Sequence, residues 1–235
     1  MSARHLTVIE QDNASGGVSF WQAGDNHSVA DGRGVSLADY IHAMYGMIRQ
    51  AGARRVLLIG CGGGTLATML HRARVRVTMV DIDAASFEIA RTYFHLPAAI
   101  ECHVGDGAAF LRDTPARYDA IVLDAYSAGT IPAQFRRASF FRLAKSRMRP
   151  RGAIFLANLM AADDHDRAPD RIARLMQAAW RDVRLHDADG YVNRNVVAVA
   201  GAVRDLKPPR LTMRPQRQAR SIARSLAELT FRLPR

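Results

Sequence analysis

The distribution of apolar positions divides the chain into short strands and amphipathic helices. From Arg54 onward, short apolar runs alternate with stretches of helical period, and five of these runs have the character of buried strands. The predicted strands lie near residues 55–60, 75–81, 99–104, 118–124 and 152–157. Alternation of this kind is typical of a parallel sheet with helices on both faces, so we predict a doubly wound α/β fold.

Two later segments complete the predicted sheet. Residues 181–186 and 194–200 have strand patterning and are joined through Asp189-Gly190, a dipeptide typical of tight hairpins. An antiparallel pair beside parallel strands predicts a mostly parallel, seven-stranded, Rossmann-like sheet of the class I methyltransferase type. A dehydrogenase built from two nucleotide-binding halves would need a longer chain.

Smaller elements are predicted before this region. Segments 5–10 and 18–21 flank a glycine-containing turn, which predicts a small N-terminal β-hairpin. Ser36-Leu-Ala-Asp39 has the pattern of a capping box, and the apolar stripe that follows it predicts a helix ending near Gly52.

The last part of the chain is basic and has helical patterning. Residues 204–235 hold nine Lys/Arg against two acids, and therefore carry most of the net charge of +11. Apolar residues recur there at helical spacing between 216 and 233, so we expect a helix that docks on its own domain or on a partner subunit. Nucleic-acid contact through this tail is a less favoured alternative, and a homodimer is left open.

Length and composition narrow the class of protein. With 235 residues, 49% of them hydrophobic, the chain can form one substantial domain. No apolar stretch has the length of a membrane span and the start lacks a signal peptide's apolar core, so we expect a cytoplasmic protein. Cys61 and Cys102 cannot form a disulfide framework and no metal-ligand spacing is visible, which predicts packing roles and no metal. We divide the chain into an N-terminal β region at 1–35, a Rossmann-like nucleoside-binding catalytic domain at 36–203 and an Arg-rich tail at 204–235.

A glycine-rich turn follows the first predicted strand of the main domain. The run Val56-Leu-Leu-Ile ends in Gly60-Cys-Gly-Gly-Gly64, where glycines let backbone approach a ligand that side chains would block. Asp81 ends the next strand, about 20 residues beyond the turn, where an acid accepts ribose hydroxyls in dinucleotide-type folds. Together these features predict a nucleoside site.

Three successive predicted strands finish in or just before an aspartate: Asp81, Asp106 and Asp124. Ligands of open α/β sheets bind outside the carboxyl ends of the strands, so these carboxylates should converge on one crevice. Asp81 suits the ribose hydroxyls, Asp106 suits an exocyclic amino group such as that of adenine, and Asp124 is left for the reacting partner. A structural alternative for each is a helix N-cap, and for Asp83 that alternative is preferred.

With these residues in place, the chain resembles the polyamine aminopropyltransferases, the spermidine synthase family, over roughly residues 34–201. The resemblance rests on five segments in order: Val56-Leu-Leu-Ile-Gly-Cys-Gly-Gly-Gly-Thr65, Val80-Asp-Ile-Asp83, Val104-Gly-Asp-Gly107, Tyr118-Asp-Ala-Ile-Val-Leu-Asp124 and Met148-Arg-Pro-Arg-Gly-Ala153. It implies transfer of an aminopropyl group from decarboxylated S-adenosylmethionine to a small amine, with Asp124 orienting and deprotonating that amine.

Candidate site residues follow from the motifs and the resemblance together. For catalysis we predict Asp124 and Tyr126. For the donor we predict Gly60, Gly62, Gly63, Gly64, Asp81, Ile82, Asp106, Gly107 and Asp124, and for the amine Tyr40, Ser127 and Tyr191. The Gly- and Pro-containing loop that runs through Pro132 could act as a lid.

Two departures from the family pattern keep other functions open. Gly63 and Ser127 stand where the family usually has acids that hold the cationic aminopropyl group and the amine. The first alternative is therefore a methyltransferase that uses ordinary S-adenosylmethionine and an unknown acceptor. The second is a nucleoside-binding protein with weak catalysis.

Overall fold

The computed structural model of the chain describes residues 7–12, 14–22, 25–127 and 129–235. The beginning of the predicted first strand, at His5, lies outside these residues. The helices are α1 Asp39–Gln50, α2 Thr65–Arg72, α3 Ala84–Tyr93, α4 Gly107–Asp113, α5 Ala138–Ser146, α6 Ala168–Met176 and α7 Ala219–Glu228, with a short 3-10 helix at Ala133–Phe135. The strands are β1 Thr7–Asp12, β2 Gly17–Gln22, β3 Asp25–Ala30, β4 Arg55–Ile59, β5 Arg76–Asp81, β6 Glu101–Val104, β7 Ala120–Leu123, β8 Ile154–Ala161, β9 Val183–Asp187, β10 Arg194–Gly201 and β11 Thr230–Arg232.

The main sheet has eight strands in the order β11-β9-β10-β8-β7-β4-β5-β6. Strands β4 to β8 are parallel to one another, whereas β10 is antiparallel to both β8 and β9. In this register Ile59 lies beside Val80 on one side and Leu123 on the other. The central strands therefore end level, and the residues that follow them meet at one edge of the sheet.

Helices cover both faces because the central strands are apolar on both sides. One core lies against α1, α2, α3 and α7 and includes Met44, Met69 and Leu226. The other lies against α4, α5 and α6 and includes Phe141 and Phe155, both fully buried. The predicted doubly wound, mostly parallel α/β fold is confirmed.

Three details differ from the sequence-based prediction. The main sheet has one strand more than seven, because β11 follows α7 and pairs antiparallel with β9. The N-terminal β region is a three-stranded sheet rather than a hairpin, because the mostly polar β3 pairs with β2 through its backbone. The helix α1 begins at Asp39 without a capping box, since the Ser36 hydroxyl accepts the Ala38 N–H at 3.1 Å outside the helix.

The basic tail is fastened to the main sheet by buried ion pairs. Arg232 on β11 contacts Asp170 at 2.8 Å and Asp187 at 2.9 Å, and both carboxylates are almost fully buried. Ile222 and Leu226 of α7 lie in the core beside α1. As expected, the tail helix docks on its own domain. The three-part division of the chain stays a prediction.

Candidate functional site

The glycine turn after β4 has a shape that requires glycine at its first position. Gly60 has a φ of 102°, in the region that L side chains rarely adopt. A Cβ there would lie 2.1 Å from the carbonyl oxygen of Asp124, which is far inside van der Waals contact. The turn can therefore pass directly against the end of β7, which brings the predicted donor site next to Asp124.

Asp81 is held in place by the backbone around it. Its Oδ2 accepts the Cys61 N–H at 2.6 Å and its Oδ1 accepts the Asp83 N–H at 2.9 Å. Burial raises the pKa of Asp81, and these two hydrogen bonds oppose that rise. Each carboxylate oxygen can accept a further hydrogen bond, so the group is positioned to bind hydroxyl donors.

Asp106 has a structural role in this state. It is the N-cap of α4, accepting the Ala109 N–H at 2.8 Å, and its other oxygen accepts the Gln134 side chain at 3.0 Å. Gln134 lies in the 3-10 helix that directly follows the predicted lid loop, so the segment after β7 reaches across to this carboxylate. The adenine role of Asp106 stays a prediction, while the N-cap role of Asp83 is confirmed by its bond from Ala85.

Asp124, directly after β7, lies in a hydrogen-bond network. Its Oδ1 accepts the Asn158 Nδ2 at 2.9 Å, and the Tyr40 hydroxyl approaches its Oδ2 at 3.5 Å. Burial raises the pKa of Asp124, and the bonds from Asn158 and Tyr40 counteract part of the rise. Burial beside Asp124 also holds the pKa of Tyr40 well above its ordinary value, so Tyr40 stays a donor.

Asn158 was missed by the sequence analysis. Its side chain on β8 is only 4% exposed, and its Oδ1 has no hydrogen-bond partner among the residues that the structure describes. A buried, unpaired amide oxygen is unfavourable, which marks a position where a ligand N–H could bind. The signal was visible, because Asn158 interrupts the otherwise apolar run Ile154–Ala161 near the carboxyl end of a central strand.

Tyr126 and Ser127 form hydrogen bonds with residues other than Asp124. The Tyr126 hydroxyl donates to the Asn158 carbonyl at 2.9 Å, and the backbone of Ser127 pairs with Thr130 in a tight turn. In the described part of the chain neither side chain donates a hydrogen bond to Asp124. The catalytic role of Tyr126 and the substrate role of Ser127 stay predictions.

The remaining donor and amine candidates lie around the same edge. Ile82 and Val104, at the ends of β5 and β6, are 75% and 60% exposed, so they present apolar surface beside Asp81. Gly107 packs against Ile59, and a Cβ there would lie 2.4 Å from that side chain. Tyr191 and Tyr40 line one cavity of about 220 Å³, and the Tyr40 hydroxyl also approaches Asp124. Asp81 and Asp124 thus lie at the ends of the two strands that flank β4, and Tyr40 contacts Asp124.

No group of three or more His, Cys, Asp or Glu residues that could hold a metal occurs in the described ranges. Within the same ranges no helix combines the length and the apolar character of a membrane span. Burial raises the pKa of the Cys61 thiol far above its ordinary value, so this cysteine is a poor nucleophile at neutral pH.

Solved structures with the same fold span most of the chain. A probable spermidine synthase from Corynebacterium glutamicum is 20% identical with a TM-score of 0.77, and the match covers 98% of this chain and 88% of that one. A spermidine synthase in complex with the transition state analogue AdoDATO is 16% identical with a TM-score of 0.67, covering 96% and 84%. Human methyltransferase-like protein 13 in complex with SAH is 20% identical with a TM-score of 0.56, covering 81% and 88%. These likenesses show the fold.

Similarity in sequence is higher but covers less of each chain. A probable polyamine aminopropyl transferase of Bifidobacterium longum is 33% identical over 48% of this chain and 25% of its own length. Polyamine aminopropyltransferase 2 of Pseudomonas aeruginosa is 31% identical over 57% and 42%. The eEF1A lysine and N-terminal methyltransferase homolog of Drosophila melanogaster is 32% identical over 46% and 18%. The chain thus spans less than half the length of each of these relatives.

The family profile for the spermine/spermidine synthase domain matches residues 39–168, which is more than half of the chain. The match includes Tyr40, the glycine turn, Asp81, Asp124 and Asn158. This chain therefore belongs to the spermine/spermidine synthase family.

Proposed function

We propose that this protein transfers an aminopropyl group from decarboxylated S-adenosylmethionine to a small amine. The observation that carries the proposal is the Asp124 carboxylate, held by Asn158 and Tyr40 at the end of β7 and adjacent to the glycine turn. A carboxylate at this point can bind an ammonium group and accept a proton from it. Family membership and the polyamine aminopropyltransferase relatives support the same activity.

The donor would lie along the edge formed by β4, β5 and β6. Asp81 accepts the ribose hydroxyls, and its two backbone bonds preorganise it for that role. Ile82 and Val104 offer exposed apolar surface that a purine ring would cover. Asp106 can accept the adenine amino group once Gln134 releases its Oδ2.

The reaction would be a single displacement. The amine nitrogen attacks the carbon attached to the sulfonium; a C–N bond forms, the C–S bond breaks, and methylthioadenosine leaves with the bonding electron pair. The ammonium must first lose a proton, and Asp124 is placed to take it. Burial raises the carboxyl pKa and so makes Asp124 a better proton acceptor than an exposed aspartate. Alignment and electrostatics would supply most of the acceleration, since the sulfonium already leaves readily.

Methyl transfer from ordinary S-adenosylmethionine is the second candidate. A Cβ at Gly63 would lie 2.7 Å from the Phe94 ring, so a side chain there requires Phe94 to move. Because position 63 is a glycine, it offers no acid that would repel the carboxylate of ordinary S-adenosylmethionine. One relative, at 32% identity, is named as a lysine and N-terminal methyltransferase homolog.

Ligand-induced stabilisation and product analysis separate these candidates. Decarboxylated S-adenosylmethionine at about 100 times its Kd should add about 2.7 kcal/mol of stability, and ordinary S-adenosylmethionine should add less. Asp81→Asn should weaken this effect, whereas the matched control Asp83→Asn keeps its N-cap and should not. With putrescine present, mass spectrometry should detect the aminopropylated amine. Preferential stabilisation by ordinary S-adenosylmethionine, together with a methylated acceptor, would favour the second candidate; no stabilisation by either donor would refute both.

A further inference from the structure

A cavity of about 370 Å³ lies at the amino ends of β4 and β5, at the opposite end of these strands from the glycine turn and Asp81. Its volume is typical of small-molecule pockets, which span about 300 to 1,000 Å³. Such pockets are mostly apolar, but in the described part of the chain this one is lined by arginines alone: Arg54, Arg55, Arg74, Arg76 and Arg149. The lining therefore favours a ligand of negative charge rather than an apolar one.

Most of this positive charge is not neutralised by neighbouring acids. Arg149 forms an ion pair with Asp119 at 3.1 Å, whereas the other four arginines form no ion pair within the residues that the structure describes. The second oxygen of Asp119 is already occupied, because it accepts the backbone N–H groups of Arg54 and Arg55 at 2.9 and 2.8 Å. Asp119 therefore balances one guanidinium group at most.

Glu101 is the other acid that is affected by the cluster. Its carboxylate accepts a hydrogen bond from His103 at 2.7 Å and one from the Thr78 hydroxyl at 3.0 Å. The bond from His103 and, more weakly, the charge of Arg55 lower the pKa of Glu101. Two carboxylates thus face five guanidinium groups, and the cavity keeps an excess of positive charge.

Arg55 and Arg76 lie at paired positions of β4 and β5. Like charges at neighbouring positions of two strands repel each other, so this arrangement is unfavourable without an anion. The guanidinium carbon of Arg55 lies 5.3 Å from the centroid of the Tyr118 ring, and its Nε is buried without a hydrogen-bond partner among the described residues. The ring holds the guanidinium in place without neutralising it, which leaves its charge available to a ligand.

Arg74 occupies a backbone position that favours glycine. It follows the C-cap of α2 with a φ of 60°, and the next N–H, that of Val75, closes the turn on the Leu70 carbonyl at 3.0 Å. An arginine in this left-handed conformation has a conformational cost that glycine avoids. The dipole of α2 favours a cation at this end, but it gives no reason for the repelling pair Arg55 and Arg76 on the strands.

We propose that this arginine cluster binds a compact polyphosphate, such as a diphosphate or triphosphate group. Guanidinium groups bind phosphate oxygens through paired N–H donors and stay charged over the whole physiological pH range. Five of them around one cavity suit a short chain of phosphates better than a single one. A single-stranded nucleic acid is less favoured, because the described lining has no aromatic ring on which bases could stack. The site is independent of the proposed aminopropyl transfer.

Calorimetry with sodium tripolyphosphate tests the cluster. Arg55→Gln and Arg76→Gln should each raise the Kd about tenfold, in line with loss of one charged hydrogen-bond donor. Arg142→Gln is the matched control, since Arg142 is an exposed arginine on α5 that does not line the cavity, and its Kd should not change. An unchanged Kd in both cluster variants would overturn the proposal. An equal rise in the control would also overturn it, because the anion would then respond only to the net charge of +11.

Arg74→Gly separates binding from stability. Glycine removes the cost of the left-handed backbone, so the Tm of the free protein should rise. The same substitution removes one guanidinium group from the cavity, so the Kd for tripolyphosphate should rise about tenfold. A lower Tm with an unchanged Kd would show that Arg74 has a structural role only and would contradict the proposal.

A panel of anions identifies what the cluster recognises. Tripolyphosphate and ATP should bind with similar Kd values, and Asp81→Asn should change neither of them. If Asp81→Asn weakened ATP binding and Arg76→Gln did not, the nucleotide would lie at the nucleoside edge and the proposal would fail. A short oligouridylate that bound more tightly than tripolyphosphate would replace the polyphosphate by a nucleic acid. Orthophosphate that bound as tightly as tripolyphosphate would reduce the site to one for an adventitious ion only.

Discussion

The two ends of the parallel strands carry opposite charge. At the carboxyl ends lie Asp81, Asp83, Asp106 and Asp124; at the amino ends five arginines surround a cavity of about 370 Å³, namely Arg54, Arg55, Arg74, Arg76 and Arg149. In a βα unit the helix N-termini gather at the carboxyl ends of the strands and the helix C-termini at the amino ends. Because helix dipoles favour anions at the former and cations at the latter, this segregation is partly a property of the fold.

The comparison teaches that an acid at a strand end is not by itself a functional residue. Asp83 and Asp106 cap helices, a role that the fold alone favours, and the adenine contact proposed for Asp106 would be a second role of its Oδ2. Asp81 and Asp124 cap none. Asp81 accepts the N–H groups of Cys61 and Asp83, and Asp124 accepts bonds from Asn158 and Tyr40. What distinguishes the two pairs is the partner of each carboxylate rather than its position in the sequence.

The largest effect is expected at Asp124, and the comparison is with Asp119, which precedes the other end of β7. Asp124→Asn removes the proton acceptor and should lower kcat by about 10² to 10⁴-fold, with donor binding retained in a thermal-shift assay. Asp119→Asn, at the amino end, weakens bonds to the Arg54 and Arg55 N–H groups and to Arg149. This second variant should lower the free energy of unfolding by about 1 to 2 kcal/mol without a loss in kcat. Retained turnover in Asp124→Asn would refute its role.

Acid should destabilise the protein through His186. Its pKa is about 4 in the folded state and about 6.5 when unfolded, so the unfolded state binds more protons between these values. Stability is therefore fully present above about pH 6.5 and falls as pH decreases toward 4, by up to about 3 kcal/mol. Denaturant unfolding at several pH values, compared with His186→Asn, isolates this contribution. Equal pH dependence in both proteins would contradict a buried, neutral His186.

Removing the amide donor to Asp124 should change the pH profile more than the maximum rate. In Asn158→Leu the charged carboxylate loses the Nδ2 bond, so the pKa of Asp124 should rise further and the acidic limb of the kcat/KM profile should move upward by about one pH unit. Donor-induced stabilisation should persist in this variant. A lower kcat/KM with no shift in the acidic limb of its pH profile would indicate that Asn158 acts on substrate binding rather than on Asp124.

The smallest effect is expected at the arginine end. Arg76→Gln removes one of five neighbouring like charges and should change the free energy of unfolding by no more than about 0.5 kcal/mol, in the stabilising direction at low salt. Arg149→Gln is the comparison, because it also breaks the ion pair with Asp119. If Arg76→Gln destabilised the protein more than Arg149→Gln, the amino-end arginines would not act as a repulsive cluster.

Local pattern was sufficient for the central sheet and for the acids at its edge. The apolar runs correctly predicted strands β4, β5, β7 and β8, which are buried on both faces, and also the shorter edge strand β6. Asp189-Gly190 correctly marked the β9–β10 connection. Strands β3 and β11 were missed because backbone pairing, rather than apolar period, makes them strands: β3 pairs with the neighbouring β2, and β11 with the distant β9. The tail strand further depends on the contacts of Arg232 with Asp170 and Asp187, which are 62 and 45 residues away in sequence.

The site was harder to predict than the fold wherever its residues come from distant segments. Tyr40 and Asp124 are 84 residues apart, and no spacing rule joins them. Asn158 left a visible signal as a polar residue in a buried strand, but Glu228 is a single acid in a basic helix and His186 is a histidine in β9, between β11 and β10. Their shared cavity exists only after α7 packs on α1.

The Ser28 hydroxyl on β3 accepts the Gly63 N–H of the glycine turn at 2.7 Å. Through this bond, the stability of the small N-terminal sheet is coupled to donor binding at the glycine turn. A donor that orders the glycine turn should slow amide hydrogen exchange in β2 and β3, and by reciprocity Ser28→Ala should weaken donor affinity by the same coupling free energy. The stability of the small sheet would then report on donor occupancy through this one bond.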